Sequence, residues 1–211
     1  TATTVDTSVT ATVTAADGTE SEVPVTEQAI PGGPAASQIA IKQLGSNGGG
    51  FFNTNSAHPF ESPNGWSNFL SLYLILLIPL AFPVMFGRML GKPSQGWVLL
   101  GVMTLILVSM MFFVSFAETG GNPQATALGV DQSSSSVQGG GNMEGKDVRF
   151  GASTCAQWAA ATTGTSNGSV NCMHDSLTPA GGGLAMLHMK LGEISPGGVG
   201  VGLMGILINA L

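Results

Sequence analysis

A mainly α, multi-pass membrane protein with a small external β-hairpin at its N-terminus is the fold class this sequence predicts, and three observations predict it. Charged residues make up only 9% of the 211-residue chain and the mean hydropathy is +0.34, which moves it away from a soluble globule. Residues 67–87 and 97–117 carry no charge, and each is long enough to cross a bilayer as a helix. The tripeptide Ser-Asn-Gly occurs twice, at 46–48 and 166–168, each time between a short helix-like stretch and a spanning one. In a chain with 31 glycines the tripeptide alone is a weak signal; its setting gives it weight.

Residues 1–33 read as an external β segment. Thr7 to Thr14 is rich in β-branched residues, Asp17-Gly18 is a hairpin signal, and Glu20 to Val25 is the return strand, confined to a sheet edge by Pro24. A first repeat covers 34–96. Its half-helix, 35–45, has Ser37 as N-cap and stops at Gly45; it covers only ~15 Å, half a bilayer. A glycine-rich turn at 46–50 follows, then a polar linker with His58, then a span at 67–90. Pro79 and Pro83 are tolerated in a spanning helix where neighbours satisfy the carbonyls they free. Arg88 and Lys92 follow the span at once, and the positive-inside rule places the short connection 91–96 in the cytoplasm. Trp66 and Trp97 sit at the span ends, where interfacial aromatics are expected.

Residues 97–211 form the next repeat. It has a span at 97–117, an external Gly- and Ser-rich loop at 118–152 expected to be flexible, a half-helix at 153–163, and a turn at 164–168. Its last apolar stretch, 177–211, is interrupted between Gly192 and Gly200. Irregular backbone at membrane depth survives only when packed in protein or lining a water-filled path. Lys190 and Glu193 are costly there unless paired or hydrated, so with Gly197 and Gly198 they mark a candidate pathway. The plain alternative is a surface loop between two short helices. Cys155 and Cys172 support no disulfide framework and are expected as small apolar fillers. No signal peptide begins the chain, and both ends read as cuts through a longer protein. Aligned, the two halves are similar to the span–pore helix–span plan of the potassium channel and transporter superfamily, in tandem.

The turns suit a dehydrated monovalent cation. Backbone carbonyls replace its water without full negative charge, so the ion can still leave. Glycine allows consecutive carbonyls to face one side, and a helix that ends at the turn directs its negative dipole end to the site. The candidate ligands are Ser46, Asn47, Gly48 and Gly49 in one turn and Thr165, Ser166, Asn167 and Gly168 in the other, with Thr163 and Thr165 hydroxyls adding ligands or bracing. Phosphate-cradling loops instead precede their helix. Asn167-Gly168-Ser169 is formally a glycosylation sequon, discounted because a pore-lining turn is inaccessible. His58 and His174 are expected to brace linkers, and His188 to lie in a core or interface. A net charge of -6 gives no basic surface for nucleic acid, and no nucleotide-binding motif is present.

Longer motifs carry a family resemblance. Residues 40–53, Ala-Ile-Lys-Gln-Leu-Gly-Ser-Asn-Gly-Gly-Gly-Phe-Phe-Asn, with 55–61, Asn-Ser-Ala-His-Pro-Phe-Glu, closely resemble the second filter region of KdpA, the potassium-binding subunit family of the bacterial ATP-driven potassium pump. Ala160 to Gly164 with Val170 to Ser176 resembles the third filter region, and Leu191 to Leu203 the interrupted helix after it. Ser46 stands where many relatives carry Thr. The resemblance implies four span–pore–span repeats around one pathway, of which this chain holds two. It implies K+ as the transported ion with no organic cofactor, and a multi-pass place in the bacterial inner (plasma) membrane. It also implies a non-catalytic subunit, with ATP used only by a P-type ATPase partner (KdpB-like) and small KdpC-like and KdpF-like subunits completing the complex. The alternatives are a channel-like secondary potassium transporter without an ATPase, and a membrane enzyme using Lys190 and Glu193 as an acid–base pair.

Overall fold

The computed structural model describes the chain except residues 1, 5–9, 15, 16, 26, 30–32, 51, 53, 54 and 200. Two compact units divide at Ser37. In the first, β2 (Thr10–Thr14) and β3 (Glu20–Pro24) pair antiparallel, with Thr10 opposite Pro24 and Thr14 opposite Glu20. The turn between them contains Gly18 at φ 82°, where glycine avoids the Cβ penalty. The expected hairpin is therefore present over these residues, while 7–9 of the expected first strand lie outside the described ones. A second antiparallel pair, β1 (Ala2–Thr4) with β4 (Glu27–Ala29), was not expected from the sequence. α1 (Gly33–Leu44) begins in this unit and continues into the next.

The second unit is helical. α2 (Gly65–Met89) and α3 (Pro93–Thr119) are both long and apolar enough to cross a membrane. Asn64 caps α2 reciprocally: its Oδ1 accepts from the Ser67 amide at 3.0 Å, and Ser67 Oγ accepts from the Asn64 amide at 3.2 Å. Pro79 and Pro83 lie inside α2, which continues through both, and both are buried. Near its end α2 meets α3 backbone to backbone. A Cβ on Gly87 would lie 2.6 Å from the Gly96 amide nitrogen, and one on Gly96 2.6 Å from the Pro83 carbonyl. Small residues at such crossings let apolar helices approach closely where lipid gives no hydrophobic drive. Phe69, Tyr73, Leu77 and Met85 of α2 and Leu105, Phe112 and Phe116 of α3 are exposed, as a bilayer-facing surface requires.

α3 is the hub, packing against α2, α5 (Gly151–Gly164), α6 (Pro179–Lys190) and α7 (Gly202–Ala210). Ile75, Trp158 and Ala161 form one buried cluster; Leu99, Met103 and Ile206 form another. Between α3 and α5 the loop is not loose, contrary to expectation. It holds the short helix α4 (Pro123–Ala127), and Gln132 exchanges hydrogen bonds with Asn122, accepting from its amide at 2.6 Å and donating to its carbonyl at 2.9 Å. Polar side chains at the helix ends, absent from any hydropathy pattern, order this loop.

The cysteines require a correction. Cys155 and Cys172 form a disulfide joining α5 to the segment after the second turn. A pair of cysteines 17 residues apart has no motif spacing, so only the fold that returns the chain past α5 brings them together.

Candidate ion-binding turns

Each Ser-Asn-Gly turn starts where a half-length helix stops. The first serine of each is left-handed, Ser46 at φ 52° and Ser166 at φ 54°, and Gly48 and Gly49 follow at 69° and 119°. Both serine hydroxyls are buried and make no hydrogen bond among the described residues. Buried polar atoms without partners are uncommon in native folds and call for an explanation.

The turns touch. A Cβ on Gly48 would overlap the backbone of Gly168 and Ser169, and one on Gly168 would lie 3.0 Å from the Asn47 carbonyl oxygen. Glycine is needed at Gly48 twice over, for its φ and for this approach. The two turns are thus in direct contact, although 120 residues separate them in sequence.

Carbonyl groups divide into those already used and those left over. Thr162 Oγ1 donates to the carbonyls of Asn167 and of Ser169, the latter at 2.8 Å, and Trp158 Nε1 also donates to Ser169 at 2.9 Å. Among the described residues no donor claims the carbonyls of Ser46, Asn47, Gly48, Thr165, Ser166 or Gly168. Asn167 therefore differs from its neighbours: its carbonyl is bound internally, and its side chain reaches the end of α1, donating to the carbonyls of Lys42 at 3.3 Å and Gln43 at 3.4 Å. The hydroxyls of Thr163 and Thr165 brace α5, donating to Ala159 at 2.7 Å and Ala161 at 2.8 Å.

The interruption after α6 packs under the second turn. Ile194 to Gly198 are buried, the Gly197 amide donates to the Gly164 carbonyl at 2.9 Å, and a Cβ on Gly198 would overlap the Thr165 carbonyl oxygen. His188, buried, places Nε2 3.0 Å from the Ser195 carbonyl and Nδ1 3.3 Å from Thr163 Oγ1. Gly197 and Gly198 thus lie against the turn itself. Lys190 is exposed and Glu193 half-buried at φ 56°, and no ion pair joins them among the described residues.

Buried ion pairs that no motif announced support the surroundings. Lys42, in the last turn of α1, pairs with Glu61, and Glu61 also accepts the Phe52 amide at 3.0 Å. Glu118 pairs with Lys146 at 2.9 Å, both side chains fully buried, and accepts from Asn142 at 2.8 Å and from the Thr178 amide and hydroxyl at 2.7 and 2.8 Å. Arg149 donates to the carbonyls of Ser62 at 2.8 Å and Ala57 at 2.7 Å, tying the loop before α5 to the linker before α2. His58 accepts from the Phe60 amide at 3.1 Å and stacks on Phe52. His174 Nε2 has no hydrogen-bond partner among the described residues.

The chain is 59% identical over 184 residues to a potassium-transporting ATPase potassium-binding subunit of Sorangium cellulosum, covering 87% of this chain and 32% of that protein. It is 56% identical to proteins of the same name from Mycobacterium tuberculosis, over 87% of this chain and 32% of the relative, and Herpetosiphon aurantiacus, over 93% and 33%. The chain spans about a third of the length of these curated relatives. The family model for the potassium-transporting ATPase A subunit matches residues 3–211, and the chain belongs to that family, KdpA.

Proposed function

We propose that the two turns are two parts of a cation filter that selects dehydrated K+ in an ATP-driven uptake complex. The observation that carries this is the contact of two turns that each open on a left-handed serine, each following a half-helix and each with carbonyls that no donor among the described residues claims. Carbonyl dipoles hold the ion, and the negative ends of α1 and α5 favour it. The ligand set is the backbone of Ser46, Asn47, Gly48, Gly49, Thr165, Ser166 and Gly168, with the Asn167 carbonyl excluded by its bond to Thr162. Gly197 and Gly198 shape the floor of the second turn, and Lys190 and Glu193 flank the way out. The repeats 34–96 and 97–211 are two of four span–pore–span units in a bacterial inner membrane. ATP hydrolysis belongs to a P-type ATPase partner of the KdpB kind, with KdpC-like and KdpF-like subunits beside it. The names of the relatives support this reading.

The test uses the full-length protein in its complex. K+ is expected to protect the complex thermally and to stimulate its ATPase more strongly than Na+. Gly48→Asp puts a side chain into the seam between the turns and is expected to reduce that preference by about tenfold, some 1.4 kcal/mol. A folded Gly48→Asp complex with unchanged ion preference would refute the filter.

A further inference from the structure

Gln43 is fully buried in the last turn of α1, one residue after Lys42, and contributes no carbonyl to the filter. Its side chain instead bridges the two repeats. Oε1 accepts from the Ser169 hydroxyl at 2.8 Å, and Nε2 donates to Ser56 Oγ at 3.0 Å. The Ser56 amide in turn donates to the Val170 carbonyl at 2.9 Å. Since Ser169 and Val170 are neighbours, these bonds close a ring: Gln43, Ser169, Val170, Ser56 and back to Gln43. Two of its members belong to the segment leaving the second turn, one to the helix entering the first turn, and one to the linker leaving it.

We infer that Gln43 is a positioning residue that fixes the spacing of the two turns and so sets ion discrimination. This rests on the filter reading above. A carbonyl site distinguishes cations by the distances and number of its oxygens, and Na+ and K+ differ in radius by a fraction of an ångström. The ring lies directly beside the seam, because the Cβ position of Gly48 overlaps the amide of Ser169, the residue that Gln43 holds. Asn167 runs a parallel strut, with its amide on the carbonyls of Lys42 and Gln43 and its Oδ1 accepting the Ser169 amide at 2.7 Å. Gln43 is the member that touches both repeats through a side chain alone. It can therefore be altered without changing a filter carbonyl or a glycine. A buried side-chain network whose polar atoms are all engaged holds its geometry more tightly than apolar packing does.

The experiment compares Gln43→Met, Ser169→Ala and the double variant in the full-length protein within its complex, reading K+- and Na+-stimulated ATP hydrolysis. Met keeps the length and removes the side-chain hydrogen bonds of Gln43 to Ser56, Ser169 and Asn167; Ala removes the Ser169 hydroxyl with its contacts to Gln43 and Asn167. Each single variant is expected to raise the apparent KM for K+ about tenfold while kcat stays within about twofold, so that the K+ over Na+ preference falls about tenfold. The double variant is expected to lose less than the product of the two single losses, because both remove the Gln43–Ser169 bond. An unchanged preference in Gln43→Met overturns the inference, as does multiplicative loss in the double variant. Should Gln43→Met fail to assemble, Ser169→Ala alone decides by the same criterion. Gly48→Asp separates the two readings: if it changes ion preference and the ring variants do not, the ring has no such role while the filter stands. If none of them changes it, the filter reading falls as well.

Discussion

The first turn, after α1, and the second, after α5, share a left-handed serine with a buried hydroxyl, but they are supported differently. The second is enclosed: Thr165, Asn167 and Ser169 are buried, Thr162 and Trp158 hold its carbonyls, a disulfide closes its far side, and the interruption after α6 packs beneath it. The first is open, with Asn47, Gly49 and Gly50 exposed, and relies on the Lys42–Glu61 pair, three glycines and its bonds to the second turn. A left-handed serine can thus be held by packing around its turn, or in a turn whose following glycines accept positive φ without penalty and whose neighbour fixes it.

The largest expected effect lies in the enclosed turn's surroundings. Glu118→Gln leaves Lys146 buried without its counter-ion and puts an amide donor against Asn142 and Lys146. Breaking a fully buried pair costs about 3–5 kcal/mol. Thermal unfolding should report that loss, and hydrogen exchange should increase over 142–178 before it does over 42–62. Equal increases in both segments would mean that the two turns are not separately supported.

A paired glycine test comes next. Gly198→Ala meets the Thr165 carbonyl, where only backbone can give way, whereas Gly49→Ala meets nothing within 4 Å and suffers only from its φ of 119°. Overpacking costs about 1–3 kcal/mol, and Gly198→Ala belongs at the top of that range. Gly49→Ala is expected to cost about 1 kcal/mol, the lower end for a strained backbone. Melting temperatures of the two variants, measured side by side, check the order. A costlier Gly49→Ala would place the tighter constraint in the open turn.

What the sequence disclosed follows from what a linear pattern can carry. α2 and α3 were legible because uncharged runs of that length have few other uses, and the β2–β3 hairpin because Asp17-Gly18 marks its turn. The second strand pair escaped notice because three-residue strands leave almost no pattern. The disulfide, the Glu118–Lys146 pair and the Gln43 ring all join residues whose partners are chosen by the fold. Gln43 lies within the motif of residues 40–53, yet a single Gln in a helix shows no periodicity, and only its buried neighbours give it a role. The loop at 118–152 differs from expectation for the same reason: its serines and glycines suggest mobility, while Glu118, Asn122, Gln132 and Asn142 hold it.

The smallest expected effect is a pH dependence confined to the enclosed turn's outer side. Burial holds His174 below the usual histidine pKa, Lys146 adds to that and Asp175 opposes it. The unfolded chain takes up a proton near the ordinary value of about 6.5, where folded His174, its pKa lower, binds less of one. Below about that pH the unfolded state binds more protons, so stability is full above it and declines as pH falls toward the lower folded value. His58 stacks on Phe52 after the first turn, and its replacement is the comparison for His174. Melting temperature of the full-length protein should therefore drop from neutral to mildly acidic pH, and His174→Gln should flatten part of that slope while His58→Gln leaves that part in place. A slope unchanged by His174→Gln would show that this imidazole titrates alike in both states, and that the enclosed turn's outer side admits the proton as freely as water does.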